Sequence, residues 1–136
     1  MRPLLRLLAL LFALGLAAPA LAQTPSASEA QVAWRLLDYV AVDYAGAVAN
    51  GEVVNPAEYG EMIAFSTQIR TRLDALPANP AKAALVRDAE GLQAAIRDKA
   101  DPRVVGARAK ALAGAVLTAY PSPLAPSFPP DLARGA

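Results

Sequence analysis

Acidic and phenolic side chains are concentrated in one stretch of the sequence, between residues 34 and 65. Carboxylate and phenolate oxygens are ligands that suit hard cations such as Ca²⁺, Mg²⁺ and ferric iron. The residues that could supply them are Asp38, Tyr39, Asp43, Glu58, Tyr59 and Glu61. These residue types predict an oxygen-ligand metal site, with four carboxylates and two phenols, between two neighbouring helices.

Helical geometry limits which of these side chains can act together. Residues three or four apart share one face of a helix, as do Tyr39 with Asp43 and Glu58 with Glu61. Asp38 and Asp43 are five residues apart, which separates their directions by about 140°. One ion could therefore reach both aspartates only with the help of the second helix.

A purely structural interpretation of the same residues remains open. Glu58 and Glu61 would interact favourably with the positive end of their own helix. Asp38 could form an ordinary surface ion pair with Arg35, and the tyrosines could seal the edge of a helical bundle. Residue types alone do not decide between a metal site and this interpretation.

Composition excludes several kinds of chemistry. The 136 residues allow one domain, and they contain neither Cys nor His, which removes disulfides, thiolate metal sites and histidine general bases. No phosphate-binding or dinucleotide-binding glycine motif occurs, so we expect no enzyme. Residues 23–65 carry six acidic side chains against Arg35 alone, whereas residues 66–136 carry ten basic and six acidic ones. The basic residues alternate with acidic ones and lack interleaved aromatics, so we expect no nucleic-acid partner.

The two ends of the chain differ in composition from its centre. Residues 1–22 have the pattern of a signal peptide: two arginines, an apolar run from 7 to 18, and Ala-Leu-Ala before Gln23. Residues 121–136 are rich in proline and predict an extended linker or tail. We therefore assign residues 1–22 to a signal peptide, 23–120 to a helical domain and 121–136 to a Pro-rich tail, and we expect export.

Hydrophobic periodicity predicts four amphipathic helices in the central segment. The first should begin at Ser26 or Ser28 and run to about Ala49, where Asn50-Gly51 ends it. The others should begin at Asn55-Pro56, Asn79-Pro80 and Asp101-Pro102, since a capping side chain followed by proline is a helix-start signal. Short connections make neighbouring helices antiparallel, which predicts an all-α, up-down four-helix bundle without a sheet.

The periodicity also predicts which side chains form the core. The expected core positions are Trp34, Leu36, Leu37, Val40, Ala41, Tyr44, Ala47, Val48, Met62, Phe65, Ile69, Leu73, Leu76, Leu85, Ala89, Leu92, Ile96, Val105, Ala109, Leu112, Val116 and Ala119. Most of them are Ala, Leu or Val, and small alanines let the helices approach closely.

Two stretches resemble a known transporter family. L-L-D-Y-V-A-V-D-Y-A-G-A-V at 36–48, followed by G-E-V-V-N-P-A-E-Y-G-E-M at 51–62, is similar to the periplasmic N-terminal region of bacterial high-affinity iron permeases. The similarity is to the oxidase-dependent ferric transporter type, in the branch that carries a cytochrome c domain. A-Y-P-S-P-L-A-P-S-F-P-P-D-L-A-R-G-A at 119–136 resembles the linker that precedes the haem-attachment C-x-x-C-H in that branch.

This resemblance implies a periplasmic accessory role in iron uptake at the inner membrane. The implied partners are the membrane domain of an iron permease and a cytochrome c domain, in the same chain or in separate ones. Iron is implied only as the transported ion. The haem-attachment motif and the family's R-E-x-x-E transport signature are absent here, so we expect haem c only downstream of residue 136 and no cofactor in this chain.

The resemblance favours the acidic and phenolic cluster as a transient contact for iron or for a docked cytochrome c module. A structural or protein-interaction bundle that binds no metal remains the alternative.

Overall fold

A computed structural model describes residues 25–121, which form an antiparallel four-helix bundle. The helices are α1 (Pro25–Ala47), α2 (Pro56–Asp74), α3 (Lys82–Arg97) and α4 (Pro102–Ala119). Helix α1 packs against α2 and α4, and α3 packs against the same two helices. Helices that are consecutive in sequence therefore pack side by side, and α4 closes the bundle against α1, so the prediction of an up-down bundle is confirmed. The predicted signal peptide and residues 122–136 of the predicted tail lie outside the described residues.

Apolar side chains from all four helices fill the core, as the periodicity predicts. Nearly all of the expected positions are buried, including Leu37, Val40, Tyr44, Met62, Ile69, Leu73, Leu92, Ile96, Val105 and Val116. Full burial of one such aliphatic side chain contributes roughly 1.5–3 kcal/mol. Four expected core residues, Trp34, Ala41, Phe65 and Ala119, are only half-buried at its edge. Trp34 is displaced because it lies about 120° around α1 from Val40, at the border of the buried stripe.

The connection between α1 and α2 is a small β-hairpin, which the sequence analysis did not predict. Helix α1 ends at Ala47, and β1 (Val48–Ala49) pairs antiparallel with β2 (Glu52–Val53). Asn50 and Gly51 have φ angles of 53° and 74°, the positive values that a two-residue type I′ turn requires. Asn-Gly is a stronger signal for a hairpin than for a helix end, so the expectation that α1 runs to Ala49 and that no strands form was wrong here.

Two of the three predicted helix starts are confirmed in detail. The Glu58 N–H donates to Asn55 Oδ1 at 3.2 Å, and the Arg103 N–H donates to Asp101 Oδ1 at 2.8 Å. In both helices the residue after the cap is proline. That hydrogen bond holds the pKa of the Asp101 carboxyl below its usual value, as expected for a carboxylate that accepts backbone N–H groups.

The third predicted start was placed too early. Helix α3 begins at Lys82, and Asn79 forms the turn before it by accepting the Ala81 N–H at 2.8 Å. The Asn79 amide also donates to the Ala119 carbonyl at 3.0 Å, and the Tyr120 hydroxyl donates to the Pro77 carbonyl at 2.6 Å. The α2–α3 connection is therefore used to hold the last turn of α4, which sequence spacing cannot reveal.

Among residues 25–121, no helix combines the length and the apolar character that crossing a bilayer requires.

Candidate functional site

Two contacts fix the register of the antiparallel pair α1 and α2. The rings of Tyr39 and Phe65 lie with their centroids 6.2 Å apart, tilted by 34°. Seven residues further along α1 and seven residues back along α2, Gly46 lies against the carboxylate of Glu58. Two turns of helix therefore separate the two contacts on each side.

The register brings four of the six predicted site residues to one line. Asp43 follows Tyr39 by four residues on α1, and Glu61 precedes Phe65 by four residues on α2. Because the two helices are antiparallel, Asp43 and Glu61 lie at the same level of the helix pair. We call the line formed by Tyr39, Asp43, Gly46, Glu58, Glu61 and Phe65 the outer α1–α2 seam. Glu58 is half-buried there, whereas Asp43 and Glu61 are exposed. Three negative charges and one phenol thus follow one another over two helical turns.

Gly46 provides the space in which the Glu58 carboxylate lies. A Cβ atom at position 46 would be 2.7 Å from Glu58 Oε2, too close for a non-bonded contact. Glu58 lies three residues after the cap Asn55, but its carboxylate does not complete a capping box, because the Asn55 N–H donates to the Ala47 carbonyl at 3.3 Å. The Glu58 side chain is therefore directed across the seam. Sequence reasoning did not assign Gly46 any role, since a glycine near a helix end indicates only termination.

Tyr59 belongs to the structure of the bundle end rather than to the seam. Its hydroxyl donates to the Ile96 carbonyl at 3.0 Å and lies 3.3 Å from the Arg97 carbonyl, and the Lys99 ammonium lies 5.9 Å from its ring centroid. Lys99 has a φ of 52° and occupies the position of a helix C-terminus that usually favours glycine. The phenol thus satisfies carbonyls at the end of α3, in agreement with the structural interpretation of this tyrosine.

Tyr44 performs the same task from α1. It is fully buried, and its hydroxyl donates to the Ala100 carbonyl at 2.8 Å. Burial, with smaller contributions from the nearby Tyr59 and Asp101, raises the pKa of Tyr44 to about 12. Two phenols from α1 and α2 therefore fix the α3–α4 connection, as the structural interpretation of the tyrosines allowed.

Asp38 is separated from the other carboxylates. It lies on the exposed, outward side of α1, about 140° around the helix from Asp43. The described residues contain no ion pair between Asp38 and Arg35. Asp38 therefore contributes to the charge of the outward side of α1 and not to the seam.

Residues 25–121 contain no group of three or more carboxylates close enough to hold a metal ion. The outer α1–α2 seam is a row of negative charges and does not form a closed coordination site. Metal binding by Asp38, Asp43, Glu58, Glu61, Tyr39 and Tyr59 stays a prediction.

A shallow depression of about 350 Å³ lies further along the same two helices. Most of its polar groups already have partners: Arg72 Nη1 pairs with Glu29 at 2.8 Å, and the hydroxyls of Thr67 and Thr71 donate to backbone carbonyls. Arg72 Nε is buried without a hydrogen-bond partner among the described residues. This depression therefore offers a weaker case for a site than the seam does.

The described residues define a small four-helix bundle domain whose first two helices carry a row of acidic and phenolic side chains. The chain belongs to the family of iron permease-associated 4-helix bundle domains, whose model matches residues 19–123. No curated protein and no solved structure matches the chain. Membership confirms the iron permease part of the resemblance noted above, whereas the cytochrome c fusion and the oxidase-dependent type stay predictions.

Proposed function

We propose that this chain is a non-enzymatic accessory domain of an iron permease, acting at the periplasmic side of the inner membrane. The family match over residues 19–123 supports the association with a permease. The signal-peptide pattern in residues 1–22 supports export. The partners of the domain are then the membrane part of the permease and, by resemblance, a cytochrome c module.

The accessory role is tested by removing the domain from the permease system in its own cells. We expect iron uptake from low external iron to fall, while the amount of permease in the membrane stays unchanged. The permease should remain in place because its transport signature does not lie in the deleted domain. The measurement is uptake of radioactive iron with the permease quantified in the same membranes. Unchanged uptake at every iron concentration would contradict an accessory role.

Within this role, we propose that the outer α1–α2 seam makes weak, exchangeable contact with iron before it reaches the permease. The observation that carries the proposal is the register, which aligns Asp43, Glu58 and Glu61 beside the Tyr39 phenol. Glu58 is half-buried and has no ion-pair partner among the described residues. Because the row is open, it suits a hydrated cation that binds and leaves quickly, as delivery to a transporter requires.

Iron contact can be tested by adding Fe²⁺ without oxygen to the ¹⁵N-labelled chain and recording paramagnetic broadening of amide signals. We expect the strongest broadening at residues 43, 58 and 61, and its loss in the double variant Asp43→Asn/Glu58→Gln. At a concentration ten times the dissociation constant, binding should stabilise the fold by only ~1.4 kcal/mol.

Two further variants sharpen this experiment. Asp74→Asn/Asp88→Asn removes two exposed carboxylates that lie off the seam, and the broadening should persist. Gly46→Ala keeps every charge but displaces the Glu58 carboxylate, so it should weaken the broadening. Broadening that is spread evenly over all acidic residues, or that survives in the Asp43/Glu58 double variant, would overturn the iron contact.

A further inference from the structure

We propose that the outward side of α1 docks a lysine- or arginine-rich protein surface that presents an aliphatic or aromatic group at its centre. We call this side, formed by Arg35, Asp38, Tyr39 and Val42, the outer α1 face. The proposal rests on the proposed accessory role, because it describes the surface chemistry of a protein that the domain would bind within the permease system. It adjoins the iron contact and shares Tyr39 with it, but Val42 and Asp38 lie off the seam, so the two contacts can be tested apart.

The outer α1 face exposes two large apolar side chains next to each other. Tyr39 is 54% exposed and Val42 is 66% exposed, and three residues apart on a helix they form one patch. Exposed apolar residues that occur singly are normal on protein surfaces, whereas contiguous ones within a polar border are typical of interaction sites. The flanks of α1 are occupied by α2 and α4, so this patch faces away from the bundle.

Tyr39 is held in position before any partner arrives. Its ring packs against Phe65 of α2 at a centroid separation of 6.2 Å. A side chain that is already oriented loses less conformational entropy on binding. Tyrosine is also among the residues that most often dominate the energy of an interface, because its ring is apolar and its hydroxyl can donate a hydrogen bond. Tyr39 is therefore the expected anchor.

The surrounding charges select the partner. Asp38 and Asp43 flank the patch on α1, and Glu61 lies beside it on α2; all three are exposed. Arg35 is the only basic residue between positions 23 and 65. An acidic border repels a second copy of the same face, anionic lipid and nucleic acid, and it attracts a basic protein surface.

The size of the patch indicates a transient complex. From residue 35 to residue 43 the helix rises by about 12 Å, so the contact falls below the ~800 Å² per partner of a stable interface. We therefore expect fast, salt-sensitive binding with a micromolar or weaker dissociation constant.

The other exposed valines do not share these properties. Val54 is 58% exposed beside the hairpin and Val104 is 47% exposed near the start of α4. Val104 follows Arg103, whose side chain is 94% exposed, and no second large exposed apolar residue lies on the described residues of α4. Val104 is accordingly a matched control for Val42.

The docking test uses the ¹⁵N-labelled full chain and an 18-residue amphipathic helical peptide of Leu and Lys, with a Leu and Glu peptide as its counterpart. We expect the basic peptide to shift amide signals of the outer α1 face, with affinity falling about tenfold between 20 and 200 mM salt. Tyr39→Ala should weaken binding about tenfold and Val42→Ala several-fold. Val104→Ala should leave binding unchanged.

Several results would overturn the proposal. They are shifts centred on the hairpin or on α4, equal binding of the acidic peptide, and equal weakening by Val104→Ala. Binding of the chain to phosphatidylglycerol vesicles, or self-association through residues 38–42, would replace the basic protein partner with another occupant.

The iron titration distinguishes failure of docking from failure of the proposed iron contact. Val42→Ala removes no carboxylate, so it should weaken the peptide complex while leaving the Fe²⁺ broadening at residues 43, 58 and 61 intact. Glu58→Gln should have the opposite pattern.

Discussion

Replacing Tyr44 by phenylalanine should reduce the loss of stability that we expect between pH 10 and pH 12. The folded state raises the pKa of this phenol from 10.0 to about 12, chiefly by burial. The neutral phenol therefore contributes its full stabilisation below pH 10, and the contribution is lost as the pH rises through 12. A shift of this size corresponds to roughly 2–3 kcal/mol in the free energy of unfolding.

The measurement is urea denaturation at a series of alkaline pH values for the wild type and the variant. At neutral pH the Tyr44→Phe variant should be less stable by ~1 kcal/mol, because the Ala100 carbonyl loses its donor. Tyr39→Phe is the matched control: this residue is 54% exposed, and its substitution leaves the Tyr44–Ala100 hydrogen bond in place, so the alkaline loss should remain as in the wild type. An unchanged alkaline loss in the Tyr44 variant would show that this hydroxyl is not its source.

Substituting leucine for Gly106 should destabilise the bundle, whereas the same substitution at Gly114 on the same helix should not. Gly106 is buried where α4 approaches α1, and a Cβ there would already be 3.4 Å from the Ala41 carbonyl oxygen. The remaining atoms of leucine have no space, and overpacking of this kind costs about 1–3 kcal/mol. Gly114 is exposed, and a Cβ atom at this position would have nothing within 4 Å. Leucine there should therefore gain up to ~1 kcal/mol of helix propensity.

Thermal and urea unfolding of the two leucine variants would measure this difference directly. Gly106→Ala serves as the intermediate case, since its single added carbon makes an ordinary contact and should be tolerated. Equal stability of Gly106→Leu and Gly114→Leu would contradict the close approach of α1 and α4.

The fold was predictable because local signals and hydrophobic spacing agree along most of the chain. Asn55-Pro56 and Asp101-Pro102 supply a cap and a preorganised first turn, and the apolar stripes behind them are continuous. Where two signals compete, the sequence is less informative. Asn50-Gly51 suits both a helix end and a type I′ turn, and Asn79 suits both a cap and a turn before the helix.

The candidate site was predictable only as a set of residue types. Whether Asp43 and Glu61 are level depends on how α1 and α2 slide along each other, which is decided by contacts between helices such as Tyr39 with Phe65. Tyr59 was expected on the same surface, but its hydroxyl is used by the carbonyls of α3. No local pattern distinguishes a phenol that faces solvent from one that binds a distant backbone.

The hydrogen bonds of Tyr120 and Asn79 have a consequence for how the domain is tethered. They hold the last turn of α4 beside the end of α2, and the Arg72–Glu29 ion pair holds the first turns of α1 near the same place. The two ends of the described chain, at residues 25 and 121, therefore lie at the same pole of the bundle. The hairpin and the α3–α4 connection, to which Tyr44 and Tyr59 donate hydrogen bonds, form the opposite pole. It is roughly 28 Å away along the 19 residues of α2. A module fused at either terminus would be attached at this pole, and the hairpin end of the bundle, with Asp43 and Glu58, would point away from the attachment.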